Sequence, residues 1–330
     1  MKKNLFSRAL LTLGAAMLGL AGVTATATAA ASNYPAEPIK LIMPYPAGGM
    51  SDVSARTIAE ALSKKLNGNI IVENRPGAAS TVASNWMVHQ KADGYTLYAA
   101  PVSLVLNPIL QPEVGYKPYE DFTPISMLLY SPFVLQVNKD LGVSNVKELI
   151  DLIKARPGKF AIGTSGVGSI NHLAAEYFIN EFGLDMIVAH YKGGSPAAKD
   201  LVGGQIQMMF SAANEAAPMM AAGRTKGLAV TTSERLAMLP DVPTMNEAAG
   251  LKDFEAVFWM ALVAPKNLPA DIQSKLSLAL QELGNDPQLR QKTDALGVRL
   301  HVSKPQEVTD NLRHDERKWG DIIKKLNIKL

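Results

Sequence analysis

The sequence contains no cysteine. That removes a disulfide framework, thiolate zinc sites, iron–sulfur ligation, a cysteine nucleophile and a lipid-modified cysteine from consideration. Histidine is scarce as well. His89, His172, His190, His301 and His314 make up the whole set, and no two stand three or four apart, so the paired ligands of a helical metal site are missing. No metal and no cofactor is expected. Charged residues are few, 19% against 47% hydrophobic. The 20 prolines and 25 glycines among 330 residues make neither a disordered nor a collagen-like composition. A chain of this length exceeds one typical core and suggests two lobes or one large α/β domain.

The N-terminus reads as an export signal. Lys2, Lys3 and Arg8 form a positive start, Leu10 to Val23 is apolar and uncharged, and Ala25 to Ala31 is a small-residue stretch. Ala27-Thr28-Ala29 and Ala29-Ala30-Ala31 are both suitable cleavage sites, so residues 1–31 are expected to be a secretory signal peptide. The apolar run falls short of the ~20 residues that a spanning helix needs. Without a cysteine near the cleavage site the exported chain cannot be a lipoprotein, and a bacterial periplasm is its expected location. The export signal also carries the apparent basicity. The full chain has 33 Lys+Arg and 30 Asp+Glu; removing Lys2, Lys3 and Arg8 leaves 30 of each. No electrostatic footprint for nucleic acid remains, and no basic cluster to hold a membrane surface.

Short apolar runs alternate with amphipathic, helix-length stretches over the rest of the chain. The runs are Ile39–Met43, Ile70–Val72, Tyr95–Ala99, Phe133–Val137, Phe160–Ile162, Ile187–His190, Ile206–Phe210, Leu228–Val230 and Val257–Ala264. This order predicts an α/β fold with mostly parallel sheets. Gln111–Pro124, with three prolines and Gly115, reads as a surface connection. The C-terminal part is helical over Ala270–Leu283, Pro287–Leu296 and Pro305–Leu326, with Pro287 and Pro305 at first-turn positions. Pro132–Val137 and Val257–Ala264 have few polar breaks and are expected to be two strands crossing between lobes.

One local design occurs three times: a strand, a glycine loop and a capped helix. After Ile39–Met43 comes Pro44-Tyr45-Pro46-Ala47-Gly48-Gly49-Met50-Ser51-Asp52, with Ser51 or Asp52 as a suitable N-cap. After Phe160–Ile162 comes Gly163-Thr164-Ser165-Gly166-Val167-Gly168-Ser169, with Ser169 as the cap. After Ile187–His190 comes Tyr191-Lys192-Gly193-Gly194-Ser195-Pro196, with Ser195 as the cap and Pro196 in the first turn. The first N–H groups of a helix lack internal partners, the dipole places partial positive charge there, and glycine lets a ligand approach the backbone closely. Such turns bind anions without charged side chains. One helix terminus contributes only about 0.3–1 kcal/mol, whereas micromolar affinity needs about 8 kcal/mol, so several loops have to converge on one guest. Phosphate motifs fail: no glycine loop ends in Gly-Lys-Ser/Thr, and Gly166-Val167-Gly168 continues to Asn171 where the dinucleotide pattern needs glycine. A carboxylate is the simpler guest. The alternative of ordinary tight turns between sheet and helix stays open for each single loop.

Catalytic readings are weaker. Ser165 lies in Gly163-Thr164-Ser165-Gly166-Val167, where an esterase elbow would want glycine in place of Val167. His172 or His190 would be its base and Asp52 an orienting acid. An exported serine hydrolase using Ser165 and His172 is therefore the alternative to a binding protein. His172 also suits a structural or ligand-facing role in the first turn of its helix, and Asp52 a cap or a partner for Arg56 four residues on. Met208-Met209 and Met219-Met220 read as packing. Phe258 and Trp259 suit either a cleft wall or a core.

Taken together, Tyr34-Pro35…Pro38-Ile39, Pro44 to Gly49 with Asp52, Val72-Glu73-Asn74-Arg75-Pro76-Gly77-Ala78, Asp93-Gly94-Tyr95-Thr96-Leu97, Gly166 to Ser169 with His172-Leu173, Tyr191-Lys192-Gly193, Pro240-Asp241-Val242-Pro243-Thr244 and Val263-Ala264-Pro265 resemble the Bug/TctC family. Those are extracytoplasmic substrate-binding proteins of tripartite tricarboxylate transporters. The resemblance covers essentially the whole exported chain. It implies a two-lobed Venus-flytrap fold, here expected as 32–135 with 262–330 in one lobe and 136–261 in the other, and no enzymatic activity. It also implies a small carboxylate, such as a di- or tricarboxylate, an amino acid or an aromatic acid, held by backbone amides at the loop ends. Those ends are Tyr45, Pro46, Ala47, Gly48, Gly49, Ser51 and Asp52 in one lobe. In the other they are Thr164, Ser165, Gly166, Gly168, Ser169 and His172, with Tyr191, Lys192 and Gly193 nearby and Ser103 adding a side contact. The implied partner is a membrane permease of two integral subunits, or a sensor protein in some members; the binding protein itself is expected to be a monomer. Two stretches depart from the family pattern. Ala79-Ser80-Thr81-Val82-Ala83 stands where relatives commonly have more glycine, and Ala100-Pro101-Val102-Ser103-Leu104 replaces a Gly-Thr-rich turn, so the ligand cannot be borrowed from any one relative.

Overall fold

The computed structural model describes residues 33–252 and 254–328; the expected signal peptide, residues 1–31, lies outside the described residues. The first βα units are β1 (Ile39–Met43), α1 (Met50–Leu66), β2 (Ile70–Asn74), α2 (Thr81–Met87), β3 (Thr96–Pro101) and α3 (Ser103–Leu110). The long strand β4 (Phe122–Asn138) follows. After it come α4 (Val146–Ala155), β5 (Ala161–Thr164), α5 (Ile170–Phe182), β6 (Ile187–His190), α6 (Gly194–Val202), β7 (Met208–Ala212), α7 (Ala213–Ala221), β8 (Thr225–Val230) and α8 (Met245–Ala249). The chain ends with β9 (Val257–Pro265), α9 (Ala270–Leu283), α10 (Pro287–Ala295), β10 (Arg299–Leu300) and α11 (Pro305–Leu326). The described residues from Pro35 onward form one compact unit. Among the described residues no helix is long and apolar enough to cross a membrane.

The helices form where apolar residues recur at helical spacing and a cap stops the fraying of the first turn. In α4, Val146, Leu149, Ile150 and Ile153 are buried on one stripe, and the Asn145 side chain accepts the Glu148 N–H at 2.9 Å. In α8, Thr244 and Glu247 form a reciprocal capping box. Pro287 and Pro305 sit at the starts of α10 and α11, where the missing N–H costs nothing. The caps of α1 and α6 differ from expectation. Gly49 caps α1 and Gly193 caps α6, neither with a side-chain bond. Ser51, Asp52 and Ser195 therefore lie inside first turns. The reason is positional: each chain bends into the helix at a glycine one or two residues earlier than the first polar residue.

Strand order explains the architecture. The Phe122–Pro132 part of β4 pairs antiparallel with β9, and its Leu129–Tyr130 also with β10. Beyond β9 lie β3, β1 and β2. The Phe133–Asn138 part pairs with β7 on one side and β8 on the other, and β5 and β6 lie beyond β7. The expected parallel pairing holds within β1–β3 and within β5–β7. The two strands inserted between those groups, β4 and β9, run antiparallel to their neighbours. The first part of β4, Phe122–Ser131, was not expected as strand: Gln111–Pro124 reads as a surface connection because of its three prolines, but its last residues, Phe122–Pro124, are already in β4 and Phe122 is buried. The structure accommodates Pro124 at a register shift between Pro124 and Ser126, the kind of bulge where proline is tolerated.

The core follows the sheets. Leu97, Tyr98, Met127, Leu135, Phe178 and Phe210 are all essentially inaccessible. The turn after α10 packs against α7: Gly297 has φ +70°, its N–H bonds Asp294 O at 2.8 Å, and a Cβ added there would lie within 1.7 Å of Asn214 Cβ. Gly297→Ala is therefore expected to destabilise the fold by about 2–4 kcal/mol, from left-handed strain plus overpacking. A urea unfolding midpoint equal to that of the parent chain would refute this.

Candidate functional site

A cleft of about 780 Å³ is lined by the C-terminal ends of β1, β3, β5, β6 and β7 and the starts of the helices that follow. This is the end of an α/β sheet where ligands are expected. From the first loop Tyr45, Pro46, Ala47, Gly48, Gly49 and Ser51 line it; from the second Ser165, Gly166, Gly168 and Ser169; from the third Lys192 and Gly193; and after β3 Ser103. Four of the expected site residues lie behind the wall. Asp52, Thr164, His172 and Tyr191 do not line the cleft, and each holds a loop in shape.

Asp52 is the clearest case, with 2% of its surface exposed. One carboxylate oxygen accepts the Gly48 N–H at 2.9 Å and the Arg56 Nε–H at 3.0 Å, and the other accepts Asn74 Nδ2–H at 2.7 Å. Asn74 also donates to Tyr45 O at 2.9 Å. Burial disfavours the charge, but the hydrogen bonds from Arg56, Asn74 and Gly48 outweigh it and hold the carboxyl below its ordinary pKa. The cradle folds the Tyr45–Gly49 loop back onto α1, while the first N–H groups of α1 are left without intrahelical partners. Gly48, at φ +84°, makes the turn that only glycine adopts without strain.

The second loop is tied by Asn171. Its Oδ1 accepts the Ser165 N–H at 3.2 Å and lies 2.8 Å from Ser165 Oγ, and its Nδ2 donates to Phe210 O at 3.2 Å. Ser169 caps α5 as expected, accepting the His172 N–H at 3.3 Å, and its hydroxyl lies 2.6 Å from Gly166 O. His172 is 3% exposed. Its Nδ1 accepts the Gly168 N–H at 3.1 Å, which leaves the ring proton on Nε2, 3.4 Å from Glu176. His190 Nδ1 is engaged with Thr164 Oγ1 at 2.8 Å; burial, then the neighbouring His172 ring, pushes the His190 pKa down. Neither histidine is a base for Ser165, whose hydroxyl is committed to Asn171. In the third loop Tyr191 donates to Asp200 at 2.7 Å and its N–H bonds Thr164 O at 3.0 Å.

The walls are apolar and hydroxylic. Tyr45 and Phe258 meet edge to face at 6.0 Å, and Phe133 and Phe210 line the cleft as well. Phe258 faces the cleft whereas Trp259 does not, because successive strand residues point to opposite faces; the Trp259 indole instead donates to Asp315 at 2.5 Å. Met209 lines the cleft and its neighbour Met208 packs in the core, by the same alternation. Ser103 shares a 2.6 Å hydrogen bond with Ser80. Ser131 Oγ is buried at the cleft wall with no hydrogen-bond partner among the described residues. Ala79 also lines the cleft, from a run in which Ala78, Ala79 and Ser80 have φ +44°, +49° and +76°.

Sequence reasoning missed Ser131, Phe133, Asn171, Phe210 and Glu215. The last two belong to the β7–α7 junction, which passes from strand to helix at Ala212–Ala213 with no glycine loop. An acidic residue in the first turn after a buried strand was the one signal present there.

A family model described as "Tripartite tricarboxylate transporter family receptor" matches residues 54–328. The chain is 32% identical over 321 residues to protein BugT of Bordetella pertussis, covering 96% of this chain and 98% of the relative. Among solved structures it is similar to Rpa4515 of R. palustris with adipate (29% identity, TM-score 0.82, 90% and 99% of the two chains). It is also similar to MatC of Rhodopseudomonas palustris with bound malate (27% identity, TM-score 0.77, 88% and 100%). The chain belongs to the tripartite tricarboxylate transporter receptor family, whose members are periplasmic solute-binding proteins and not enzymes.

Asp52→Asn is expected to lower stability at neutral pH by about 1–3 kcal/mol through the weakened charged hydrogen bonds. Because the Asp52 pKa is depressed in the folded state, its contribution is present above the unfolded carboxyl pKa and is lost as pH falls through the folded value. The stability gap between parent and variant, measured by urea unfolding across pH 7 to 2, should close toward the acid end. A gap constant over that range would show that the carboxylate charge is not what holds the loop.

Proposed function

We propose that the cleft captures a small carboxylate through the backbone N–H groups of its glycine loops and delivers it to a membrane permease. The observation that carries this reading is the convergence of three helix starts on one cleft: Gly48–Ser51 before and in α1, Gly166–Ser169 before α5, and Gly193–Pro196 at α6. Hydrogen bonds to a charged group contribute about 1.5–3 kcal/mol each. Three or four of them, with the free Ser131 hydroxyl and the Lys192 ammonium, reach the roughly 8 kcal/mol of micromolar binding after ordering costs. Adipate and malate, named with two similar solved structures, support the carboxylate.

Capture involves closure of two lobes; the expected bounds, 32–135 with 262–330 against 136–261, shift by a few residues with the strand pairing, which groups the chain up to Pro132 and from Val257 onward against Phe133 to Ala256. The pairing pattern supports bending where the chain changes sheet: between Pro132 and Phe133 on β4, and next to Ala256, whose N–H bonds Thr231 O at 3.0 Å just before β9 begins. The exported chain acts in the periplasm as the ligand-loading partner of integral transporter subunits.

Thermal melts with mono-, di- and tricarboxylates, amino acids and aromatic acids test this. A ligand at about 100 times its Kd stabilises the native state by about 2.7 kcal/mol. Gly49→Val adds a side chain at a cleft-lining position with an ordinary backbone φ of −75° and with Pro46 O, 3.8 Å away, as the nearest atom to the new Cβ, and is expected to abolish the ligand-induced shift while the unliganded protein still folds. If no carboxylate moves the melt of the parent protein, the reading fails. Hydrolysis of activated esters is expected to be equal for the parent protein and Ser165→Ala.

A further inference from the structure

Among the described residues lining the cleft, Lys192 and Glu215 are the two with a basic or a carboxylic side chain. They are not paired with each other or with any other described residue. Glu215 occupies the first turn of α7, and a Cβ added at Gly194 would lie 3.1 Å from its Oε2, so its carboxyl sits beside the start of α6 as well as that of its own helix. A glutamate three residues into a helix ordinarily folds back onto the cap N–H; here the cap is Ala212 and no such bond is made. Its acceptor capacity is turned to the cleft. A half-buried carboxyl without a donor costs free energy, and burial alone pushes its pKa up.

A cleft built only for dicarboxylates would gain nothing from this residue, because a second carboxylate beside it is repelled. Its fixed charges, one positive and one negative, sum to zero and match a zwitterion. We infer that the ligand is an amino-substituted carboxylate whose carboxylate meets the glycine loops and Lys192 and whose ammonium group donates to Glu215. This rests on the carboxylate-capture reading above and narrows it to one ligand class. The apolar walls from Phe133 and Phe258 then cover the carbon chain between the two charged ends.

Isothermal titration of the full exported chain with matched pairs tests the inference: 6-aminohexanoate against adipate, and 4-aminobutanoate against succinate. The parent protein is expected to bind the amino member of at least one pair about tenfold or more tightly, the magnitude of one charge-assisted hydrogen bond. Glu215→Gln, which keeps the shape and removes the charge, should erase that preference, and Glu215→Lys should turn it toward the dicarboxylate. Equal or tighter binding of the dicarboxylate in both pairs by the parent protein overturns the inference, as does an unchanged preference in Glu215→Gln, while leaving carboxylate capture intact. Binding of neither class by the parent protein overturns both. Should a variant fail to fold, as read by its unliganded melt, the preference of the parent protein decides alone.

Discussion

One strand is hydrogen-bonded into two sheets, and the rest of the molecule is arranged around that constraint. Phe122–Pro132 of β4 belongs with β9 and β10, and Phe133–Asn138 with β7 and β8. Because register in a sheet is fixed pair by pair, this continuity sets where the parallel strands of each sheet end. Their C-terminal loops open into a shared cleft whose wall includes Ser131 and Phe133, residues on either side of the point where β4 changes partners. The cleft is thus a consequence of topology first and of side-chain chemistry second.

Electrostatics at the site follows the same economy. The side chains that hold the loops use their hydrogen-bonding capacity internally. Asp52 is consumed by Gly48, Arg56 and Asn74, Tyr191 by Asp200, and His172 by Gly168 and Glu176. What faces the cleft from the loops is mainly peptide N–H, hydroxyl and aromatic surface, with Lys192 and Glu215 as the exceptions. Peptide dipoles held in this way are already oriented, and an anion at such a surface would be discriminated by geometry where a mobile ammonium would not.

Much of this was legible in the sequence, and the gaps have physical causes. Ile39–Met43 and Ile187–His190 are strands to the residue, and the three glycine loops lie together as their shared design implied. Local pattern identifies a strand, a loop and a helix start because those depend on neighbours in the chain. It could not separate Asp52, Thr164, His172 and Tyr191, which support the loops, from Ser51, Ser165 and Lys192, which face the cleft, since both sets occupy the same short motifs and differ only in what folds against them. The first part of β4, Phe122–Ser131, was hidden by Pro124 inside it and by the proline-rich stretch before it. Glu215 was hidden by the absence of glycine around it, because it reaches the cleft through a junction with no loop at all.

The segment Ala78–Ser80 gives the wall beside Ser103 an unusual rigidity. Three successive residues with side chains hold left-handed backbone angles, each at a cost of about 1–2 kcal/mol. The surroundings compel them: Asn107 donates to Ala79 O at 2.8 Å and to Thr81 Oγ1 at 3.0 Å, and Ser80 is bound to Ser103. A stretch kept in so unfavourable a conformation has few neighbouring shapes to relax into. The rim beside Ser103 therefore keeps one contour, held at the expense of the overall stability of the fold.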